Sequence, residues 1–295
     1  MSPGPGEVLL AAGLSLGPAV VWLRYLRRLD LRHPAPPGRL ALAFLAGALS
    51  TRAVLATSAA AEGIWPFSAG PGPGPLDALL YFVLAVGLVE ESWKLLAVRL
   101  TVYRAFREPS DGLLYSGVAA LGFATAENAV YILRLGDPGV LLHRWILSTF
   151  GHVLMALFWG WALGLTRCGP PERRRPGMVL LGLSLSALVH GLFDWFVILE
   201  HPILAVLLLL GLWRLFGLRV REAARLSPFR QALARAVREC PSCRALVRRD
   251  ARFCTACGAT VPEGLPACCP HCLEPVGTGS ACPSCQAKLV PDEGG

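Results

Sequence analysis

The stretch that decides the fold is Gly87-Leu-Val-Glu-Glu-Ser-Trp-Lys-Leu-Leu96. It lies inside an apolar run, about 76–98, and a bilayer crossing takes roughly 20 apolar residues. Yet Glu90, Glu91 and Lys94 are ionisable. A charge facing lipid at a helix centre costs about 2.5–3.5 kcal/mol. Glu90 and Lys94 are spaced i,i+4 and Glu91 and Lys94 i,i+3, so all three belong to one helix face. The segment therefore reads as a membrane helix with a polar seam, and other parts of the chain must supply the seam's far side.

The rest of the chain fits that reading. Of its 295 residues, 54% are hydrophobic and only 16% charged, against about 25% charged in soluble domains. A soluble enzyme, a disordered chain and a nucleic-acid binder are all disfavoured as the main reading. The net charge of +8 is carried almost wholly by arginines in short clusters between apolar runs; the lysines are Lys94 and Lys288. Seven spans are expected, at about 8–26, 40–61, 76–98, 112–133, 145–166, 178–199 and 202–218. The start, MSPGPGE, has no basic n-region, so the first span reads as a retained helix.

Arginines orient the spans. Arg24, Arg27, Arg28, Arg32 and Arg39 flank the first loop, Arg99, Arg104 and Arg107 the third, and Arg167, Arg173, Arg174 and Arg175 the fifth. The other side carries Arg134 and Arg144. This puts the N-terminus outside, the Gly/Pro-rich stretch 66–75 in an outer loop, and the C-terminus in the cytoplasm. The expected domains are a membrane domain 1–218, a basic linker 219–239 and a cysteine-rich module 240–289.

More ionisable residues fall inside spans: Arg52, Glu127, His152, His190 and Asp194. With Glu90, Glu91 and Lys94 they make four acids, two bases and two histidines. The deficit of positive charge calls for a cation, protonated histidine or shared protons, and such a buried group is a candidate site. His190 and Asp194 are i,i+4, so Asp194 can orient the imidazole. Ala120, Gly122 and Ala124 let helices approach Glu127. Each residue also has a plainer reading. His152 alone would be a packing histidine, Arg52 a counter-ion or an interface-seeking side chain, and the Glu90/Glu91/Lys94 group a structural ion cluster. His33, His143 and His201 read as interfacial. Trp22, Trp145, Trp159, Trp161, Trp195 and Trp213 read as belt or packing residues.

Four of these signatures together resemble one family. Glu90-Glu91-Ser92-Trp93-Lys94 is similar to the EExxK motif of the PrsW intramembrane peptidases. Phe123-Ala-Thr-Ala-Glu127, followed by Asn128, resembles the FxxxE(N) motif. His152 matches the isolated span histidine, and His190-Gly-Leu-Phe-Asp194 the HxxxD motif. The resemblance covers roughly 40–217 in the family's motif order. It implies peptide-bond hydrolysis in or beside a bacterial inner membrane, acting on a membrane-anchored protein such as an anti-sigma factor. It marks Glu90, Glu91, Lys94, Glu127, His152, His190 and Asp194 as site residues. Two mechanisms suit them. In the first, slightly favoured, Glu91 or Glu90 takes a proton from water, His190 or His152 serves the leaving nitrogen, and Lys94 keeps one glutamate ionised. In the second, Glu127, His152 and His190 hold a divalent metal with water as the fourth ligand.

Nine of the ten cysteines lie after position 239. Cys240-x-x-Cys243 and Cys254-x-x-Cys257 are ten residues apart, and Cys269-x-x-Cys272 and Cys282-x-x-Cys285 nine. Each double knuckle suits a tetrahedral four-cysteine site, and the tail resembles a double zinc ribbon holding two structural zinc ions. Cys268 is the spare, and His271 reads as solvent-exposed. Disulfides are disfavoured in a cytoplasmic tail. Phe253 is the lone aromatic residue after 239, so the tail reads as a binder of a cytoplasmic protein and not of nucleic acid. The expected whole is an all-α polytopic membrane peptidase of about seven helices, embedded in the lipid bilayer, with a zinc-ribbon tail. Its rivals are a non-catalytic scaffold or receptor and, less favoured for want of an internal repeat, a transporter.

Overall fold

The computed structural model describes residues 4–28, 34–61, 74–135, 147–229, 237–248 and 250–262, together with Cys268, Cys269, Val276 and Cys282. Those residues fall into two compact units, Met1–Arg221 and Glu222–Gly295. Stretches 62–73, 136–146 and 230–236, and with them Arg32, His33, His143, Arg144, Trp145, His271, Cys272 and Cys285, lie outside the described residues.

The first unit is helical. Its helices are α1 (Pro5–Arg28), α2 (Pro37–Ala60), α3 (Pro75–Leu80), α4 (Leu88–Thr101), α5 (Pro109–Leu135), α6 (Thr149–Met155), α7 (Leu157–Cys168), α8 (Met178–Ile198) and α9 (Pro202–Leu226). Pro37, Pro75, Pro109 and Pro202 each open a helix, where the missing N–H costs nothing and the fixed φ is already helical. Among the described residues, six helical stretches are long and apolar enough to cross a membrane: 6–27, 37–60, 109–134, 149–168, 178–198 and 202–226. They coincide with six of the expected spans.

The seventh, 76–98, differs. Its chain is helical from 75 to 101, but Tyr81–Gly87 form a π-helical turn between α3 and α4. The polar seam of Glu90, Glu91 and Lys94 follows directly after it. A π turn re-aims the face that comes next and is common beside functional sites.

Helix α5 is the hub, packed on α1, α2, α4, α6 and α7, while α8 packs on the π turn, α4 and α7. Small residues let backbones touch. A side chain at Gly47 would strike the Ala119 carbonyl, and one at Gly122 the Phe44 carbonyl, which locks α2 onto α5. Gly160 and Gly164 of α7 press in the same way on Gly112 and Pro109 of α5. At Gly87 a Cβ would lie 2.6 Å from the Ala187 carbonyl, and at Gly191 2.5 Å from the Val83 backbone. The π turn and α8 are thus drawn together beside His190.

The second unit contains a hairpin of β1 (Val237–Glu239) and β2 (Leu246–Arg248), paired antiparallel with Arg238 opposite Val247. Arg238 is buried, and its guanidinium donates to the Pro262 and Ala251 carbonyls, both at 2.9 Å. Val237–Glu239, within the stretch 219–239, pair in this hairpin. Residues 219–226 continue α9.

Candidate active site

Five helices build one buried polar cluster. Lys94 of α4 is fully buried. Its ammonium donates to Glu91 Oε1 at 2.8 Å and to Glu90 Oε2 at 3.2 Å, and lies 3.0 Å from His152 Nδ1 on α6. It also sits 4.0 Å above the Phe123 ring of α5, a cation–π contact. Phe123 of the FxxxE pattern therefore has a role besides packing. An ammonium has no acceptor, so His152 Nδ1 accepts from Lys94. His152 Nε2 then carries the proton and donates to Glu127 Oε2 at 3.0 Å. Asn128, next to Glu127, ties α5 to α6 through its amide, which donates to Thr149 Oγ1 at 3.0 Å.

His190 of α8 is fixed from the other side. Its Nδ1 lies 3.0 Å from Glu91 Oε1, an acceptor, so Nδ1 carries the proton. Its Nε2 faces Glu90 Oε2 and Asp194 Oδ2, each at 3.6 Å, too far for a hydrogen bond. The two imidazoles meet edge to face, centroids 5.2 Å apart.

Glu91 is the sealed member of the cluster. Its Oε1 faces Lys94 and His190. Its Oε2 accepts from the Trp159 indole N–H at 2.9 Å and lies 3.1 Å from the Ser186 hydroxyl. Ser186 shares its one proton between that oxygen and the Met155 carbonyl. Glu91 is completely buried. Trp159, expected among belt or packing residues, is also fully buried and is a direct partner of the cluster. Ser186 was not foreseen, although it stands four residues before His190 and eight before Asp194 on one helix face.

A cavity of about 410 Å³ opens on the remaining groups. Glu90, Glu127, His152, His190 and Asp194 line it, whereas Glu91 and Lys94 do not. Its apolar walls include Tyr81, Phe82, Tyr131, Phe193, Val197 and Ile198. These residues lie toward the ends of the helices at 74, 135, 147 and 199, opposite the ends joined by the arginine-bearing loops. Glu127 and His190 each lie eight residues from their helix end, about 12 Å deep at the α-helical rise.

The donor set of a metal site is present. Glu90, His152 and His190 each offer a ligand atom, all within 4.8 Å of one another and all buried. Two imidazoles and a carboxylate are the set that catalytic zinc uses, and each histidine has a carboxylate on its other nitrogen, Glu127 for His152 and Glu91 for His190, as ligating histidines commonly do. The acid grouped with the two histidines in this donor set is Glu90, while Glu127, the acid of the sequence expectation, lies 3.0 Å from His152 Nε2. Arg52 is not in the cluster: it is exposed on α2, and a long side chain eight residues from the helix end can reach the interface.

In the tail, Cys240, Cys243, Cys254 and Cys257 bring four Sγ atoms within 4.8 Å of one another. Sγ separations of 3.8 Å for Cys240–Cys257 and 3.6 Å for Cys243–Cys254 match the edge of a zinc–thiolate tetrahedron, about 3.8 Å for bonds of about 2.3 Å. They are far from the S–S bond length of about 2.05 Å. The backbone N–H groups of Cys257 and Ala256 hold the Cys254 thiol below its ordinary range. This cluster fits a zinc ribbon. Cys268, Cys269 and Cys282 are buried.

The fold and cluster define a class: a polytopic membrane protein that gathers acid–base groups inside its helix bundle, at the floor of a cavity. Residues 35–218 match the PrsW family of intramembrane metalloproteases. Protease PrsW of Shouchella clausii is 28% identical over 219 residues, covering 71% of this chain and 95% of that protein. Protease PrsW of Geobacillus kaustophilus is 28% identical over 221 residues, 73% of this chain and 92% of the relative. Protease PrsW of Clostridioides difficile is 32% identical over 142 residues, 45% of this chain and 59% of the relative. No solved structure matches the chain. The chain belongs to the PrsW family and is a membrane peptidase.

Proposed function

We propose that the protein cuts a peptide bond of a membrane-anchored protein, of the anti-sigma-factor type, in the outer half of a bacterial inner membrane. Glu90, His152 and His190 hold a divalent metal in this reading. The single observation that carries it is the gathering of His190 Nε2, a His152 ring nitrogen and a Glu90 oxygen within 4.8 Å of one another, with Asp194 Oδ2 also 3.6 Å from His190 Nε2, a geometry that a cation reconciles. The charge balance of the described cluster agrees: with Arg52 exposed on α2, Glu90, Glu91, Glu127 and Asp194 gather around Lys94 and two histidines.

A divalent metal supplies Lewis acidity and a water that ionises near neutrality. The chain's own residues do the rest. Glu91, sealed by Trp159, Ser186 and Lys94, fixes the tautomer of His190 and does not reach the cavity. Glu127, on the cavity wall beside His152, takes the proton of the attacking water and returns it to the leaving nitrogen. Phe82, Phe193 and Val197 exclude water from the extended substrate. We place the N-terminus outside and the C-terminus in the cytoplasm, so that the cavity faces outward.

For the rest of the chain we propose a peptidase domain 1–218, a linker 219–239 and a cytoplasmic double zinc ribbon 240–289. That ribbon binds two zinc ions and a protein partner.

The test compares new protein N-termini in membranes of cells carrying wild type or Glu90→Gln at matched levels. Termini that vanish in the variant establish the cleavage and name the substrate. Identical termini under several envelope stresses would leave a binding scaffold in its place.

A further inference from the structure

We infer that Lys94 is an internal cation that competes with the metal for its donors, and that loading the site turns Lys94 onto Glu91. The inference rests on the metal reading above and concerns this chain's own lysine. His190 offers Nε2, since its Nδ1–H is committed to Glu91. His152 offers Nδ1, since its Nε2–H is committed to Glu127. Glu90 completes the set. Two of these three donors already bind Lys94: its Nζ lies 3.0 Å from His152 Nδ1 and 3.2 Å from Glu90 Oε2.

One nitrogen lone pair cannot accept from an ammonium and bind a metal together. Nor does the other nitrogen offer a way round. Ligation through His152 Nε2 would place a proton on Nδ1, pointing at the ammonium. Either route requires Lys94 to leave His152.

Lys94 has somewhere to go. Its shortest bond, 2.8 Å, is to Glu91 Oε1, which lies outside the triad and does not line the cavity. Glu91 is held in place by Trp159, so it can keep the ammonium while Glu90 and His152 turn to the metal. The Phe123 face, 4.0 Å below Nζ, accommodates a cation in either position. Lys94 thus offsets the buried carboxylates until the metal arrives, and it lowers the affinity of the site.

The chain is well suited to a test, because its lysines are Lys94 and Lys288 only. Full-length protein with the tail cysteines loaded with zinc is titrated with Co²⁺, and affinity is read from the cobalt absorption bands. Lys94→Gln is expected to bind about tenfold more tightly or better, as removal of an adjacent competing charge requires. Lys94→Met serves where the glutamine variant does not fold. An exposed-charge control, Arg52→Gln, is expected to leave affinity within about twofold. In ¹⁵N-lysine-labelled wild type, one of two ammonium signals is expected to move in step with a single equivalent of Zn²⁺ and to be missing from Lys94→Gln. Equal affinity in wild type and Lys94→Gln, or a Lys94 signal unmoved by bound zinc, would overturn the inference and leave the metal reading intact. Failure of both proteins to bind cobalt at this site would overturn the metal reading, and the inference with it.

Discussion

The two ligand clusters of this chain are held by opposite means. The membrane cluster is assembled by α4, α5, α6, α7 and α8, and the described contacts give each side chain at least one protein partner: Glu91 has Trp159, Ser186, Lys94 and His190. The helices would position these groups whatever they bind. The tail cluster has a three-residue-per-strand hairpin and a core of Cys240, Val247, Cys254 and Val261. Among the described residues that core is small, and a metal held by the four cysteines would supply folding energy to it. The membrane site is organised by packing, whereas the cysteine cluster has the geometry of a site that an ion would organise.

The sharpest way to break this contrast is metal removal. A strong chelator, or Cys240→Ser, is expected to unfold the ribbon, since structural zinc is worth on the order of 10–16 kcal/mol to such modules. Limited proteolysis should then cut within 237–262 while helical circular dichroism keeps its amplitude. Loss of both together would show that the helices also depend on a metal. Next in size are the cavity groups. Glu90→Gln and His190→Ala are expected to lower peptidase activity by at least about 10³-fold without changing helical content. Residual activity above a tenth of wild type in either would remove that residue from the reaction.

Trp159→Phe comes next. It takes the indole donor from a carboxylate that is completely buried, which costs about 1–3 kcal/mol, read as a lowered thermal midpoint in detergent. The double variant Trp159→Phe/Ser186→Ala strips Glu91 Oε2 of both donors and is expected to cost more. If both variants melt with wild type, Glu91 is not sealed as described. Gly164→Leu belongs to the same scale. Its side chain would enter the Pro109 backbone, and overpacking of this kind typically costs about 1–3 kcal/mol.

Much of this was legible in the sequence because hydrophobic length and buried charge are both local signals. Six spans, the buried ionisable residues and the first cysteine quartet could be placed from hydropathy and spacing, and the resemblance joined the ionisable residues into four motifs. Three features could not. The π turn at 81–87 has no marker, since Tyr-Phe-Val-Leu-Ala-Val-Gly is equally good α-helix; it emerges from packing of Gly87 and Gly191 between segments far apart in the chain. The division of labour between Glu90 and Glu91 is invisible too, because adjacent residues on a helix differ by about 100° in direction and only the neighbours decide which one meets the cavity. Trp159 looked like any apolar aromatic, and its value lies in one N–H that finds Glu91 on another helix. Lipid-facing and site-facing tryptophans carry the same letter.

The smallest predicted effect tests the boundary of the cluster. Arg52 was counted among charges that must be neutralised inside, because it falls in the middle of a span. It is exposed on α2, on a face where Leu45, Leu49 and Leu55 are exposed as well. That face looks to lipid, and a guanidinium there reaches the interface along its own stem. Arg52→Gln should therefore shift stability by no more than about 0.5 kcal/mol, as surface substitutions do, and leave turnover unchanged. Arg52→Leu should behave alike, since the lipid accepts an apolar side chain at least as well. A large loss of turnover in both would mean that the cluster's charge balance extends to α2. The excess of negative charge around Lys94 would then be smaller by one, and so would the case for a divalent ion at Glu90.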